Sequence, residues 1–421
     1  MFDLDKWNEI YFALKKNKLR TFFTAFGVFW GIFMLVVMMG AGAGLYNGVT
    51  RDMGDMATNS MFMWTQTTTM PYKGFPRGRR YMFRNGDTKA LKENIPEIKY
   101  IAARLQGRGG DGTNNVIRGE RIGGFRIQGD YPDYNKIEPV DIMKGRFIND
   151  IDIEKQRKVA VIGLRVYDEM FDQNEEPIGK YLQIQGVYFK VVGLFKSKKR
   201  DQQADRDNQQ IIIPFTTLQR VYNYGDVVGW YAITSQDDVP VSVVEEKAKA
   251  LMKSRHSIHP DDDRAVGSFN LETEFKKMTN LFTGIDGLIW IVGIGTLFAG
   301  VIGVSNIMLI VVKERTKEIG IQRALGASPQ NIISQIITES VFLTTFAGYF
   351  GLVLGVGLLE LLNYILVSTG SDSDMFANPT IDFNKAMTAL LILVVSGAFA
   401  GWIPAKRAIS IKPIDALRDE V

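Results

Sequence analysis

The apolar positions of this chain fall into two regimes. Four runs, Thr21–Thr50, Gly287–Val312, Ser340–Leu359 and Ala386–Ala405, contain no charged residue. Each is long enough to cross a hydrocarbon core of about 30 Å as a helix. Between the first and second runs lies a charge-rich block, Arg51–Asp286, where short strand and helix patterns alternate. Ser60–Thr65 and Ile98–Arg104 read as strands flanking a helix begun near Asp87. Val159–Ile162, Tyr181–Gln185 and Tyr188–Gly193 are β-rich, with Gly186 marking a hairpin turn. Ile211–Ile213 predicts a strand halted by Pro214, Tyr231–Thr234 a further strand, and Val241–Met252 an amphipathic helix. Gly107–Asn115 and Lys198–Asn208 read as mobile loops bounding an inserted lobe. The expected fold is a membrane α-helical protein with four transmembrane helices and an extracytoplasmic α+β domain of two lobes.

Charge then orients the runs. Lys6, Lys15, Lys16, Lys18 and Arg20 precede the first; Lys313, Arg315, Lys317 and Arg323 separate the second and third; Lys406, Arg407, Lys412 and Arg418 follow the fourth. The loop between the third and fourth has Asp372, Asp374 and Asp382 against Lys385. Basic flanks stay cytoplasmic. The layout is therefore a cytoplasmic amphipathic helix at 1–20, built on Trp7, Ile10, Tyr11 and Leu14, and a first span at 21–50. An external domain at 51–286 and a second span at 287–312 follow, then a cytoplasmic segment at 313–335 and a third span at 336–370. An external loop at 371–385, a fourth span at 386–405 and a cytoplasmic tail at 406–421 complete it. Both termini fall in the cytoplasm. Ala41-Gly42-Ala43 has the form of a signal-peptide cleavage site, but the apolar stretch before it is about twice a typical signal core.

Candidate chemistry is sparse. The 421 residues include no Cys, which removes thiol catalysis and thiolate ligands, and a net charge of +4 is no nucleic-acid footprint. His256 and His259, followed by Asp261, Asp262 and Asp263, read as a solvated turn rather than a metal site. Lys73, Arg77, Arg79, Arg80 and Arg84 interleave with Tyr72, Phe75, Tyr81 and Phe83 as an exposed basic loop, with headgroup or partner contact as its functional reading. No catalytic residue and no metal site is expected. Gly179-Lys180 lacks the remainder of a phosphate-binding loop, so nucleotide hydrolysis of that kind is excluded on these residues. Mid-membrane ionisable residues are missing from the four runs, against an ion-coupled transporter. Small residues recur at four-residue spacing: Gly27/Gly31 and Gly40/Gly44, Gly295/Ala299/Gly303, Ala347/Gly351/Gly355 and Gly397/Gly401. Such spacing lets helices pack closely in lipid. Asn306, a lone amide in the second run, predicts a hydrogen bond across helices.

The end of the second run reads Gly303-Val304-Ser305-Asn306-Ile307-Met308, then Glu314-Arg315-Thr316-Lys317-Glu318-Ile319-Gly320, then Ala324-Leu325-Gly326-Ala327. This closely resembles the membrane subunits of MacB-type ABC transporters, the FtsX-like permease family. Asn17-Lys18-Leu19-Arg20-Thr21 enters the first span as in that family. Gly145-Arg146-Phe147, Val159-Ala160-Val161-Ile162-Gly163, Pro177-Ile178-Gly179-Lys180 and Val191-Val192-Gly193 are similar to its periplasmic core, and Pro404-Ala405, Ala408, Pro413 and Ala416-Leu417-Arg418 to its closing stretch. The resemblance implies a "porter" lobe at 51–114 and 211–286 with a "sabre" lobe inserted at 115–210. It implies a bacterial inner-membrane location, a dimer with a second permease copy or paralogue, and a separate ABC ATPase subunit that binds ATP and Mg. Neither cofactor is expected on this chain. A periplasmic membrane-fusion protein, an outer-membrane channel and membrane lipids are further implied partners, with no nucleic acid.

Under this resemblance Glu314, Arg315, Lys317, Glu318, Gly320, Arg323, Ala324, Leu325, Gly326 and Ala327 dock on the ATPase, with Gly320 and Gly326 as tight turns. Ser328-Pro329 then has the cap-then-proline form that starts a helix. Long, stiff first and second helices would transmit ATP-driven motion, a mode called mechanotransmission, and the second helix is expected to reach back towards Phe269. Three functions stay open: efflux of a periplasmic substrate, lipoprotein release of the LolC/LolE kind, and FtsX-like regulation of a periplasmic enzyme. The large external block with its inserted lobe favours the first two, and efflux leads.

Overall fold

The computed structural model describes residues 18–51, 57–108, 115–199, 201–368 and 376–410. The expected helix at 1–20 lies almost wholly outside them, as do Asp372, Asp374, Lys412, Pro413 and Ala416-Leu417-Arg418. The chain forms two units, one of Met1–Thr50 with Asn280–Val421 and one of Arg51–Thr279.

In chain order, helix α1 (Lys18–Arg51) leads to the external unit. That unit runs β1 (Ser60–Thr65), β2 (Phe83–Arg84), α2 (Asn85–Asn94), β3 (Ile98–Gln106), β4 (Val116–Arg118), β5 (Arg121–Gly123), β6 (Arg126–Asp130) and α3 (Tyr134–Ile137). It continues through β7 (Asp141–Gly145), α4 (Asp150–Glu154), β8 (Val159–Gly163), α5 (Leu164–Met170), β9 (Tyr181–Ile184), β10 (Val187–Lys196), α6 (Asp201–Asn208) and β11 (Gln210–Pro214). The last elements are α7 (Phe215–Val221), β12 (Val227–Val228), β13 (Trp230–Ser235), α8 (Val241–Arg255) and β14 (Val266–Asn270). Helices α9 (Leu271–Glu314), α10 (Thr316–Ala324), α11 (Pro329–Ser368) and α12 (Phe383–Ser410) follow.

One twelve-stranded sheet runs β14-β1-β13-β3-β6-β11-β8-β10-β9-β4-β5, with β7 on β10. The outer four, β14, β1, β13 and β3, come from the two ends of the segment, and the rest are inserted between them. The halves meet where β3 pairs with β6 at Leu105↔Gly129 and Gln106↔Gln128. Strand β11 lies between β6 and β8, so the inserted half of the sheet continues past residue 210. A single apolar core joins both halves, from Met61 and Met63 through Phe125, Phe189 and Ile211 to Tyr231 and Val266. At the seam, Arg104 on β3 donates to both oxygens of the fully buried Asp130 at 2.5 and 3.0 Å, and its guanidinium lies 3.7 Å from the centre of the Tyr134 ring. Burial opposes an ionised carboxylate at Asp130, so the bidentate guanidinium is what makes it tolerable there.

The expected hairpin at Gly186 is present: Gln185 and Gly186 both adopt positive φ, the two-residue primed turn that matches strand twist. The loop expected across Lys198–Asn208 is instead mostly the helix α6. Its polar surface gives no apolar periodicity to read. Its C-terminal residues hold it in place, as Asn208 accepts from the Ser197 amide at 2.8 Å and Asp207 pairs with Lys199 at 3.2 Å.

In the membrane unit, α1, α9, α11 and α12 are 34, 44, 40 and 28 residues long, and each contains a stretch apolar enough to cross a bilayer. Their shared core includes Val28, Ile32, Leu35 and Val36 of α1, Leu297 and Val304 of α9, Leu343 and Ala347 of α11, and Leu393 and Ala400 of α12. The outward faces expose Phe22, Trp30, Phe298, Tyr364 and Phe399, which suits a hydrocarbon surround. Helix α9 begins at Leu271, so Phe269 belongs to β14 rather than to the helix. The fold is thus a four-span helical membrane unit joined to an α+β domain of mixed sheet.

Candidate functional site

The segment that joins α9 to α11 is tightly built. The apolar run of α9 stops at Val312, and regular helix gives way at Arg315 (φ −95°, ψ 13°). Two backbone bonds bridge the break, Arg315 to Val311 at 3.0 Å and Ile319 to Arg315 at 2.9 Å. Arg315 turns inward, and its Nη1 donates to Oε1 of Glu339 on α11 at 3.0 Å. Glu339 is buried, so the pair fixes the base of α10 to the third span, and Arg315 also lies 3.6 Å from Glu318 one turn along. The two residues flank an open cleft of about 380 Å³, whose apolar wall includes Met308, Val312, Ile319 and Ile336.

The far end of α10 is closed by two hydrogen bonds, Ala327 to Gln322 at 3.0 Å and Gly326 to Arg323 at 3.1 Å. This is a Schellman cap, which needs a left-handed residue after the helix, and Gly326 supplies it at φ +97°. Ser328 then caps α11, its Oγ accepting from the Asn331 amide at 3.3 Å with Pro329 in the first helical position. Arg323 donates to the Ile409 carbonyl at 2.7 Å, satisfying an end group of α12 and placing positive charge at that helix's negative end.

The ten residues singled out here therefore divide. Arg315 and Arg323 hold the segment to its neighbours rather than face outward. Gly320 is buried inside α10, so the turn expected there is found only at Gly326. Glu314, Lys317, Glu318, Ala324, Leu325 and Gly326 are exposed, and Ala327 is half-buried. Leu325 stands out at 84% exposure on the cap itself, beside exposed Ile321. Sequence reasoning missed Glu339 and Ile321. The signal for Glu339 was present, a carboxylate immediately before the uncharged run that starts at Ser340.

The glycines divide as well. A Cβ at Gly31 would meet Thr296 and Leu297 of α9 at 3.5 Å, and one at Gly27 would lie 3.8 Å from the Gly300 Cα. Additions at Gly351 and Gly355 would lie 2.6 Å from the Phe29 carbonyl oxygen and 2.6 Å from Val36 of α1. Gly397 and Gly401 face Thr344 and Ser340 of α11, with 2.8 Å between a Cβ at Gly401 and the Ser340 Oγ. Gly295 and Gly303 meet nothing within 4 Å, and the exposed Asn306 has no hydrogen-bond partner among the described residues. The expected bond from Asn306 across helices is therefore not made within this bundle. The close approaches on α9 are Gly293, against Leu35, and Gly300, against Val28. They are seven residues apart, a spacing that a search at four-residue intervals passes over.

Comparison with known proteins fits this architecture. The family described as the MacB-like periplasmic core domain matches residues 21–251, and the FtsX-like permease C-terminal family matches residues 290–413. A pyoverdine export ATP-binding/permease protein, PvdT, of Pseudomonas savastanoi is 29% identical over 96% of this chain and 58% of its own length. A macrolide export ATP-binding/permease protein, MacB, of Bdellovibrio bacteriovorus is 27% identical over 97% of this chain and 60% of its own length. The chain thus spans somewhat under two thirds of these relatives. The crystal structure of the periplasmic region of MacB from Actinobacillus actinomycetemcomitans aligns with 55% of this chain and 98% of its own, at 20% identity and a TM-score of 0.43. The chain belongs to the MacB-type, FtsX-like permease family.

Proposed function

We propose that this chain is the permease part of an ABC exporter and that α10 is the surface on which an ATP-hydrolysing subunit docks. The observation that carries this is Leu325. A large apolar side chain stands 84% exposed on a rigid cap, and both ends of its helix are anchored by Arg315–Glu339 and Arg323–Ile409. Covering such a side chain is worth about 1.5–3 kcal/mol. Ile321 extends the apolar contact, and Lys317 and Glu318 supply a polar rim. The basic flanks support a cytoplasmic position for this turn and both termini, with the chain in a bacterial inner membrane.

Motion imposed on α10 would reach α9 through the bonds that bridge Arg315. Helix α9 is 44 residues, about 66 Å at 1.5 Å per residue, and has no break along its length. It acts as a strut for mechanotransmission to the domain at 51–286, divided into porter and sabre lobes. The names of its relatives, exporters of pyoverdine and of macrolides, favour efflux of a periplasmic substrate. ATP and Mg would bind the ATPase subunit. A second permease copy would cover the face of α9 that carries Gly295, Gly303 and Asn306, where an unpartnered amide among apolar residues gains a partner. A periplasmic fusion protein and an outer-membrane channel would complete the path.

The test is a mild-detergent pull-down of the chain from its native membranes with mass spectrometry of what copurifies. A P-loop ATPase is expected, and Leu325→Asp should lower its recovery by more than about tenfold while Leu325→Met keeps it. Full recovery with Leu325→Asp, or no ATPase with the unaltered chain, would contradict the docking reading.

A further inference from the structure

The excursion between β1 and β2 is a built object that the export reading leaves unused. Residues 66–82 hold Lys73, Arg77, Arg79 and Arg80 and no acidic residue. Tyr72 and Phe75 exchange both backbone hydrogen bonds, at 3.0 and 2.9 Å, around Lys73 (φ +47°) and Gly74 (φ +84°). That is a two-residue primed turn, whose backbone twist matches that of the paired segments.

The base of the excursion is locked. Asp262 accepts from the Thr69 amide at 2.6 Å, the Thr69 hydroxyl at 2.7 Å and the Met70 amide at 3.1 Å. Thr68 and Gly78 pair across it, and Tyr81 donates to the Ala265 carbonyl at 2.6 Å. Arg79 turns inward to the carbonyls of His256 and Ser257 and stacks on Phe75 with 4.2 Å to the ring centre.

What this frame presents is Lys73, Phe75, Pro76, Arg77 and Arg80, all exposed, with Met70 beside them. Lys73, Arg77 and Arg80 have no carboxylate within ion-pair distance among the described residues. On the supporting turn Asp262 is engaged by the hairpin and Asp263 by Lys253, while Asp261 stands exposed beside His259. The chain enters and leaves the unit at the Ser60 and Asn270 ends of β1 and β14, whereas the hairpin rises from the Thr65 and Val266 ends.

We infer that the Thr69–Arg80 hairpin is a docking knob for an acidic protein surface. Rigid aromatic, Met and Arg side chains on a preorganised support are the composition of interface anchors, and little ordering entropy remains to be lost on binding. Unpaired cations around an apolar tip select carboxylates around an apolar pocket. A protein is favoured over lipid headgroups because the cations surround rigid Phe75 and Met70 anchors on a locked support, the composition of a protein interface. The inference stands apart from the export reading.

The test uses the full chain in its own envelope with a photoreactive benzoyl-phenylalanine at position 75, and the same residue at exposed position 188 as control. The expected result is a protein adduct at 75 alone, whose cross-linked peptide carries Asp or Glu beside apolar residues. Its yield should fall at least about tenfold in the K73E/R77E/R80E chain and less in the milder K73Q/R77Q/R80Q chain. Replacing the acids of that peptide with Lys should restore the adduct to the K73E/R77E/R80E chain. An adduct to lipid or lipopolysaccharide alone, a yield indifferent to the three charges, or no adduct would overturn the inference.

Discussion

The two units of this molecule reach a packed interior by opposite means. In the external unit large side chains fill the space beneath a sheet, and a charge buried with them, Asp130, is answered by a bidentate arginine. In the membrane unit the decisive residues are those with no side chain. Gly351, Gly355, Gly397 and Gly401 let helices approach where a single methyl group would collide. Water accounts for the difference. Expelling apolar surface from water drives the first kind of core. Helices already surrounded by hydrocarbon gain only from closer contact.

The contrast sets where each unit should fail. Arg104→Ala leaves Asp130 buried without a counter-charge, and should destabilise the external unit by about 3–5 kcal/mol in denaturant unfolding. A loss under about 1 kcal/mol would mean the seam relaxes enough to hydrate the carboxylate.

Gly351→Val drives a side chain into the Phe29 carbonyl and Ile32, and should lower stability by up to about 3 kcal/mol in a detergent unfolding assay. Gly303→Val meets open space in the single chain. It should leave monomer stability within about 0.5 kcal/mol and weaken only self-association, read from the oligomer fraction. If the two valines behaved alike, the distinction between inward and outward glycines would be lost.

The smallest expected effect concerns acid. Burial pushes the Asp262 carboxyl up, but the hydrogen bonds from Thr69 and Met70 outweigh it and hold the group below the ordinary carboxylate range. A depressed folded-state value means that its stabilisation is present above about pH 4, and is lost as pH falls through the folded value. Amide exchange at Thr69 and Met70, corrected for intrinsic rates, should stay slow down to about pH 4 and quicken below it. In Asp262→Asn it should already be fast at neutral pH.

How much of this was readable follows the same division. Strand β1 falls on the residues its apolar pattern named, Ser60–Thr65, because a core strand announces itself by composition. Four uncharged runs announce four spans equally well. The α6 helix was unreadable because Asp201–Asn208 is polar on every face. A small residue marks a contact without saying with what, so Gly295 and Gly303 looked the same in sequence as Gly351 and Gly355. At the candidate site, the cap at Gly326 and the start at Ser328-Pro329 follow from local chemistry. The inward turn of Arg315 depends on Glu339, a tertiary partner 24 positions along, and no local pattern encodes that pairing.

The most direct test of the account is the accessibility of the docking cap. The sequence has no cysteine, so Leu325→Cys is a unique thiol. Its maleimide labelling rate would be measured on the purified permease alone and with the copurifying ATPase subunit, with Tyr188→Cys as control. The account predicts that the ATPase slows labelling at position 325 by more than about tenfold and leaves position 188 unchanged. Equal rates at 325 with and without the ATPase would contradict it.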